Sequence, residues 1–511
     1  MRPWLWAICA VPLLAADSKV CARCHAEIYR QYAATPMALT SGPAGLGAIS
    51  GKFSAKGGYE YSIVRQDEKV FLDIGKTERR ELAYFVGSGA AARSYLIAVD
   101  GFLYESPATY YSGARSWGLS PGYDRYSYPF LTRAIAPQCL ACHATGVQAV
   151  SGTQNGYRSP PFLEGGVGCE RCHGPGDAHA ATGDPKDIVN PVSLPAEQRD
   201  SVCAQCHLSG EIRVERAGKS IADFKPGDKL GDYAVAFVRA SSGVKTTGMK
   251  VTSHVENLAQ SKCSRASGNR LWCGTCHDPH FVPSETERAA WFRKKCETCH
   301  APSVCGRGAD CVACHMPKSS VMDAEHVVYT DHSIPRRPVS RNRKPAADAP
   351  LVAFDKTPAS TRDQGLAYAI VALREQNAAY STRAFDLLRE AEREHPNEPQ
   401  TLSYLADLYK TRKDDRTAGV LYERLLAVDP TQSSAPMNLG AYQMEQEHYE
   451  EAIRLFKEAL KISPGLVLVR LNLAVALIKV GQRLEARAVL QEALKFNPTF
   501  VAARNLLDQL Q

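Results

Sequence analysis

The sequence predicts a mainly α-helical, two-part molecule: helix and coil organised by a repeated cysteine–histidine motif, with a small β-rich insertion, followed by an α–α solenoid. Three observations predict it. Seven Cys-x-x-Cys-His pentapeptides fall between residues 21 and 315, a stretch at 40–135 without cysteine or histidine shows strand-like alternation, and a 34-residue period runs through the last third of the chain.

The pentapeptides use fourteen of the seventeen cysteines. They are Cys21, Cys24 and His25; Cys139, Cys142 and His143; Cys169, Cys172 and His173; Cys203, Cys206 and His207; Cys273, Cys276 and His277; Cys296, Cys299 and His300; and Cys311, Cys314 and His315. Two thiols separated by two residues form thioethers with the two vinyl groups of a haem, and the next histidine binds the iron as proximal ligand. The expected cofactors are therefore seven covalent haem c groups and their iron. Zinc is the alternative, but its structural sites combine two separate Cys or His pairs and do not require a histidine after every second cysteine.

Residues 1–16, MRPWLWAICAVPLLAA, read as a signal peptide cleaved near Ala15 or Ala16, which places the mature chain in the periplasm or outside the cell. The apolar stretch is about twelve residues against the ~20 needed to span a bilayer, so no transmembrane segment is expected, and Cys9 leaves with the signal. Formal charge is +7. Seven haems would bring about fourteen propionate carboxylates, enough to outweigh that excess, so no nucleic-acid partner is expected. The basic cluster Arg336, Arg337, Arg341, Arg343 and Lys344 lies in a Pro-rich stretch and reads as a solvated linker.

Seven of the fourteen histidines are proximal, and His395 and His448 lie in the solenoid. The remaining five, His179, His254, His280, His326 and His332, are candidate outer ligands, since imidazole is a common partner for haem iron. His280 follows His277 by three residues and His179 follows His173 by six. Side chains so close in sequence do not readily clasp opposite faces of one porphyrin, so each is expected to bind a neighbouring haem. Met37 is a candidate axial thioether; otherwise it packs. Six outer ligands for seven irons leave at least one iron open or served by a weaker ligand such as Met249, Met316, a lysine or a tyrosine. Cys263 and Cys305 belong to no motif, and a disulfide between them is the simplest expectation in an oxidising compartment.

The expected boundaries are a signal peptide at 1–16, a multihaem cytochrome c domain at 17–335 with its β-rich insertion at 40–135, a linker at 336–362 and repeats at 363–511. Within the insertion, Gly87–Ala92 imitates a nucleotide-binding loop, but a strand follows where a helix is required. The aromatic run 115–133 serves to cover porphyrin faces or, alternatively, to line a substrate pocket. From 136 to 335 the motifs crowd together, so helix and coil around porphyrin are expected. Pro396, Pro430, Pro464 and Pro498 stand 34 residues apart, each preceded by an alanine twelve residues earlier (Ala384, Ala418, Ala452, Ala486) and a large residue eight earlier (Leu388, Tyr422, Phe456, Leu490). This is the tetratricopeptide (TPR) period, and four repeats with a terminal helix at about 501–511 make a short solenoid with a groove for a protein or peptide.

The phrases CARCH with YAATPMA, VGSGAAARSYL with DGFLYESPATYY, CERCHGPGDAH, CGTCHDPH, CVACHMPK and TDHSIPRR resemble multihaem cytochromes c with C-terminal TPR repeats. The haem part is similar to the tetrahaem cytochrome that accepts electrons during hydroxylamine oxidation. The resemblance implies a periplasmic or extracellular redox protein with mainly bis-histidine haems, and supports His179, His280 and His332 as outer ligands. Electron relay between redox partner proteins is the expected function. The alternatives are an oxidoreductase acting on a small nitrogen or sulfur oxyanion at an open haem, and an assembly or sensing protein in which the solenoid does the main work.

Overall fold

The computed structural model describes residues 17–510 except 56, 77, 127, 242–243, 247–248, 269, 302–309, 325, 337–345 and 356–357. The signal peptide, Cys305 and most of the basic cluster lie outside the described residues.

The chain is not mainly α. It is 44% helix and 20% strand, and its N-terminal region is built on a large antiparallel sheet. Nine strands form that sheet: β1 (Ser41–Pro43), β2 (Gly51–Ser54), β3 (Glu60–Gln66), β4 (Lys69–Ile74), β5 (Glu78–Val86), β6 (Ala92–Val99), β7 (Phe102–Tyr111), β8 (Ser116–Leu119) and β9 (Arg133–Ala134). The order runs from β2 to β8 in sequence, with β1 on β5 and β9 on β7. Alternation drives it: Tyr61 and Ile63, Val70, Leu72 and Ile74, Leu82 and Phe85, and Tyr95 and Ile97 share one buried cluster with Trp117. The sheet curls until its end strands nearly meet, and a Cβ on Gly51 would lie 2.5 Å from Trp117 Cδ1. Pro107, which cannot donate to the ladder, sits in β7 where the register with β6 shifts. Gly87–Ala92 is the turn from β5 into β6, and Gly87 and Gly89 adopt φ of 94° and 81° there.

Further strands lie among the haem motifs. β10 (Ala144–Ala149) pairs with β11 (Tyr157–Gly165). β12 (Ile212–Glu215), β13 (Ala234–Ser241), β14 (Val244–Thr246) and β17 (Leu351–Ala353) form a second sheet, and β15 (Lys318–Ser320) pairs with β16 (Val328–Thr330). The expectation of helix and coil fails here for a physical reason. These runs are short, and the partners are remote: Phe237 of β13 faces Ala353 of β17. Local periodicity does not report such pairing.

The solenoid follows as four antiparallel helix pairs: α1 (Thr361–Glu375) with α2 (Ala378–Glu394), α3 (Pro399–Thr411) with α4 (Asp415–Val428), α5 (Ser434–Glu445) with α6 (Tyr449–Ile462), and α7 (Val467–Lys479) with α8 (Arg483–Phe496). A last helix, α9, spans Val501–Asp508. The repeated alanines and large residues are all buried. Gly440 shows why a small residue is needed, since a Cβ there would stand 2.6 Å from Phe456 Cε1.

Both ends of the solenoid touch the N-terminal part. At one end Val214, Val235, Phe237 and Leu351 share a core with Leu366, Tyr380 and Leu388. At the other, Tyr104 packs with Val467 and Phe496, the last ring edge-on at 5.9 Å, and Lys495 Nζ reaches Asp100 Oδ2 at 2.5 Å.

Candidate haem-binding site

Each motif begins in a short helical turn, as in Glu170–His173 and Cys311–His315, or ends a longer helix, as in Ala196–His207. A turn of helix brings both thiols and the histidine to one side of the chain. The described cysteines are all separate thiols, Cys263 among them, and the described residues hold no group of three or more His, Cys, Asp or Glu side chains arranged to hold a metal ion.

The histidines do not lie singly. His25 and His179 have near-parallel rings with centroids 6.2 Å apart and 17° between planes; His173 and His280 are paired likewise at 5.8 Å and 14°, and His277 and His332 at 6.2 Å and 27°. Two imidazoles that bind opposite faces of one iron through bonds of about 2 Å have ring centres about 6 Å apart, so these pairs have the spacing of axial ligands. In each pair one member follows a motif's second cysteine directly and the other does not. His280 lies against His173 rather than its sequence neighbour His277, and His179 lies against His25 rather than His173.

His254 meets both His207, at 5.0 Å and 88°, and His332, at 4.8 Å and 78°. Among the described residues no second imidazole pairs with His143, His300 or His315. His326 meets the edge of Tyr111 at 5.4 Å, and Met37 is fixed through its carbonyl, which accepts from Val167 N at 3.0 Å.

Backbone carbonyls orient the rings. Nδ1–H donates to Val189 O from His173 (2.8 Å), to Asp184 O from His179 (2.9 Å), to Pro335 O from His315 (3.1 Å) and to Thr330 O from His332 (2.9 Å). Holding the proton on Nδ1 leaves the Nε2 lone pair free for a metal. Burial pushes the pKa of His143, His207, His280 and His332 down, and those of His254 and His277 to about 3 and about 4, so all six are neutral and ligand-competent at neutral pH. The residues fit haem c: paired thiols for the vinyl groups, and neutral imidazoles at axial spacing for the iron.

Some supporting groups escape sequence reading. Glu256 is buried and its Oε1 accepts from Ser209 N at 3.1 Å, closing the turn after His207. Its only cue is its place two residues after His254. The carbonyl acceptors carry no side-chain signal at all.

Beside the second motif, Glu105 is half-buried 3.2 Å from Arg133. Burial pushes its pKa up to about 7, with the Arg133 guanidinium opposing. The folded-state value then lies above the unfolded value of about 4.3, so this group's stabilising contribution is complete below pH ~4.3 and is lost as pH rises through about 7. Glu105→Gln is expected to flatten the fall in unfolding free energy between about pH 5 and 7. Urea titrations at the two pH values check this, and an unchanged slope counts against it.

Residues 127–174, which hold the second and third motifs, match the family model of cytochrome c554 and c-prime, and residues 443–510 match a tetratricopeptide repeat. No curated protein matches the chain. Solved structures similar to it include MamA, at 16% identity over 27% of this chain and 80% of that one, with TM-score 0.25. PilF of Pseudomonas aeruginosa is 23% identical over 29% of this chain and 67% of that one, with TM-score 0.26. YrrB, titled a TPR protein with an unusual peptide-binding site, is 16% identical over 28% of this chain and 73% of that one, with TM-score 0.25. The chain thus joins a cytochrome c554-like segment, which points to haem c, to a tetratricopeptide region, an architecture for protein interaction.

Proposed function

We propose that the chain is a periplasmic or secreted multihaem cytochrome c that carries seven covalent haems, relays electrons between redox partner proteins and contacts a protein through its solenoid. The observation that carries this reading is the set of three near-parallel imidazole pairs with centroids about 6 Å apart, each joining the motif histidine of one pentapeptide to a histidine from elsewhere in the chain. The haem supplies a reversible one-electron store at each site.

The chain's own residues do the rest. The fourteen motif cysteines tether, and His25, His143, His173, His207, His277, His300 and His315 bind from the proximal side. His179, His280 and His332 close the first, third and fifth sites, and His254 serves the fourth beside His207. The short loops His173–His179 and His277–His280 each bridge two sites, which binds neighbouring haems into one rigid body. The likeness of CERCHGPGDAH and CGTCHDPH to the electron acceptor of hydroxylamine oxidation supports the same reading.

A second reading, an oxidoreductase acting on a small nitrogen or sulfur oxyanion, is favoured by one feature. His143 is half-buried with no second imidazole against it among the described residues, and Glu105 and Arg133 stand near Cys139 as a proton and anion partner.

Intact-mass analysis of the purified holoprotein is expected to count seven covalent haems, and fewer than the motif number removes the proposal's basis. Ferric and then ferrous carbon-monoxide spectra separate the two readings. All sites low-spin and inert to carbon monoxide supports relay alone, whereas a high-spin site that binds it raises the enzyme reading.

A further inference from the structure

The histidine pairs are oriented in two different ways. In each near-parallel pair one ring is held by a carbonyl: His179 by Asp184 O, His173 by Val189 O and His332 by Thr330 O. Neither His207 nor His254 has this support, because the Nδ1 atoms of both are buried without a protein acceptor among the described residues. His254 also stands between two sites. Its ring lies 5.0 Å from His207 and 4.8 Å from His332, and both contacts are edge-on. Ring distance alone does not assign it to either.

Bonds to the backbone make the assignment. His254 opens the helix His254–Gln260, and Glu256 lies in its first turn. Glu256 is 1% exposed, and its Oε1 accepts from Ser209 N at 3.1 Å, Ser209 Oγ at 3.3 Å and Gly210 N at 2.5 Å. From just before the helix, Lys250 Nζ donates to Gly210 O at 2.8 Å and to Glu211 O at 3.2 Å. The turn so gripped is itself fixed. Glu211 N donates to Phe237 O at 2.6 Å, and Gly210, at φ 60°, packs so closely that a Cβ would stand 2.5 Å from that same oxygen. Five bonds thus fasten the chain that carries His254 to the turn after His207. On the other side Val251 N donates to Asp323 Oδ1 at 3.0 Å, but among the described residues no hydrogen bond joins the helix 254–260 to the segment 327–335 that holds His332.

We infer that Glu256 is a positioning residue: its carboxylate, seated on the turn after His207, sets His254 as the outer ligand of the fourth site and keeps it from the fifth. This rests on the haem reading above. Groups that orient a ligating histidine from outside typically account for about 10–100-fold in metal affinity. At the other paired sites a carbonyl does this on the ring itself; at the fourth, Glu256 does it on the helix.

The test counts high-spin haem in the purified holoprotein, from the ferric spectrum and from carbon monoxide binding after reduction. Relative to the parent, Glu256→Ala is expected to add one high-spin haem, as His254→Ala does, and the double variant to add no second one. Combined with His332→Ala the signals should sum, since that ring closes the fifth site. Glu256→Gln should match the parent: Oε1 still accepts from Ser209 and Gly210, and Oε2 is buried without a partner among the described residues, so an amide nitrogen in its place removes no bond. Glu256→Asp keeps the charge but draws the carboxylate back by one methylene; it should show part of the alanine signal, and it decides the matter if the alanine variant folds poorly. The inference is overturned if Glu256→Ala and Glu256→Asp lose stability but keep the parent spectrum, if Glu256→Gln turns high-spin as well, or if the Glu256→Ala and His254→Ala signals sum. Intact mass separates the two failures: protein without covalent haem defeats the functional reading, and fully loaded protein with an indifferent Glu256 defeats only its positioning role.

Discussion

Replacing His280 by alanine is expected to turn one haem high-spin, and that haem is the one attached at Cys169 and Cys172. The two candidate sites for His280 are close in different senses. His277 is three residues away in sequence, but it is His173 whose ring lies parallel to His280 at 5.8 Å, while His277 faces His332 at 6.2 Å. An iron that loses its outer imidazole becomes five-coordinate or takes a weak ligand, and its spectrum changes in kind rather than degree. The assignment is checked by a double-mutant cycle. In a Cys169→Ser/Cys172→Ser background the third site is gone, and His280→Ala should add no further high-spin signal. In a Cys273→Ser/Cys276→Ser background the signal should persist. The reverse pattern would mean that the hairpin wraps a single haem, and the bridging of neighbouring sites would be lost with it.

The contrast between what the chain displays and what it hides follows from locality. Seven pentapeptides and four prolines at a 34-residue interval are local facts, and the buried Ala384, Leu388, Ala452 and Phe456 show the period continuing into the packing. The spacing of His179 and His280 from their neighbouring motifs already argued that each serves another site, and their rings do lie against His25 and His173. What failed was the expectation of a mainly α chain, with helix and coil between the motifs. β13 is the counterexample: Val235 and Phe237 are buried because β12 and β17 flank them, and β17 lies inside the stretch that reads as a solvated linker. Pairing across more than a hundred residues leaves no period to detect. The carbonyls that orient the imidazoles are silent for a simpler reason, since every residue has one.

That same strand β13 makes the second large prediction. Arg239 projects from it into a buried cluster: Nε donates to Glu211 Oε2 at 3.2 Å, Nη2 donates to both carboxylate oxygens of Glu375 at 2.7 Å each, and Nη1 donates to Ala347 O at 2.7 Å. Glu211 is itself buried and is also met by Arg374 and by Lys250 Nζ at 3.7 Å. Burial alone would push the Glu375 carboxyl up, but bonds from Arg239 and Arg374 outweigh it and hold the pKa below its ordinary value. Glu375 ends α1, so the cluster ties the sheet among the haem motifs to the first solenoid helix. Arg239→Ala strands Glu211 in a buried site with one partner fewer and leaves the Glu375 carboxylate with one of its three bonds, that from Arg374, a loss of about 3–5 kcal/mol. Arg239→Lys should recover little of it, because an ammonium cannot make the paired bonds to Glu375. The two parts also share the apolar cluster that runs from Phe237 and Leu351 to Leu366 and Leu388, so the parent protein should unfold through this junction in one step. Urea unfolding followed both in the haem Soret band and by helical circular dichroism checks this: the transitions should coincide in the parent and separate in Arg239→Ala, the solenoid melting first. Coincident curves in the variant, or a loss below about 1 kcal/mol, would show that the apolar cluster alone holds the junction and that the ionic cluster adds only register.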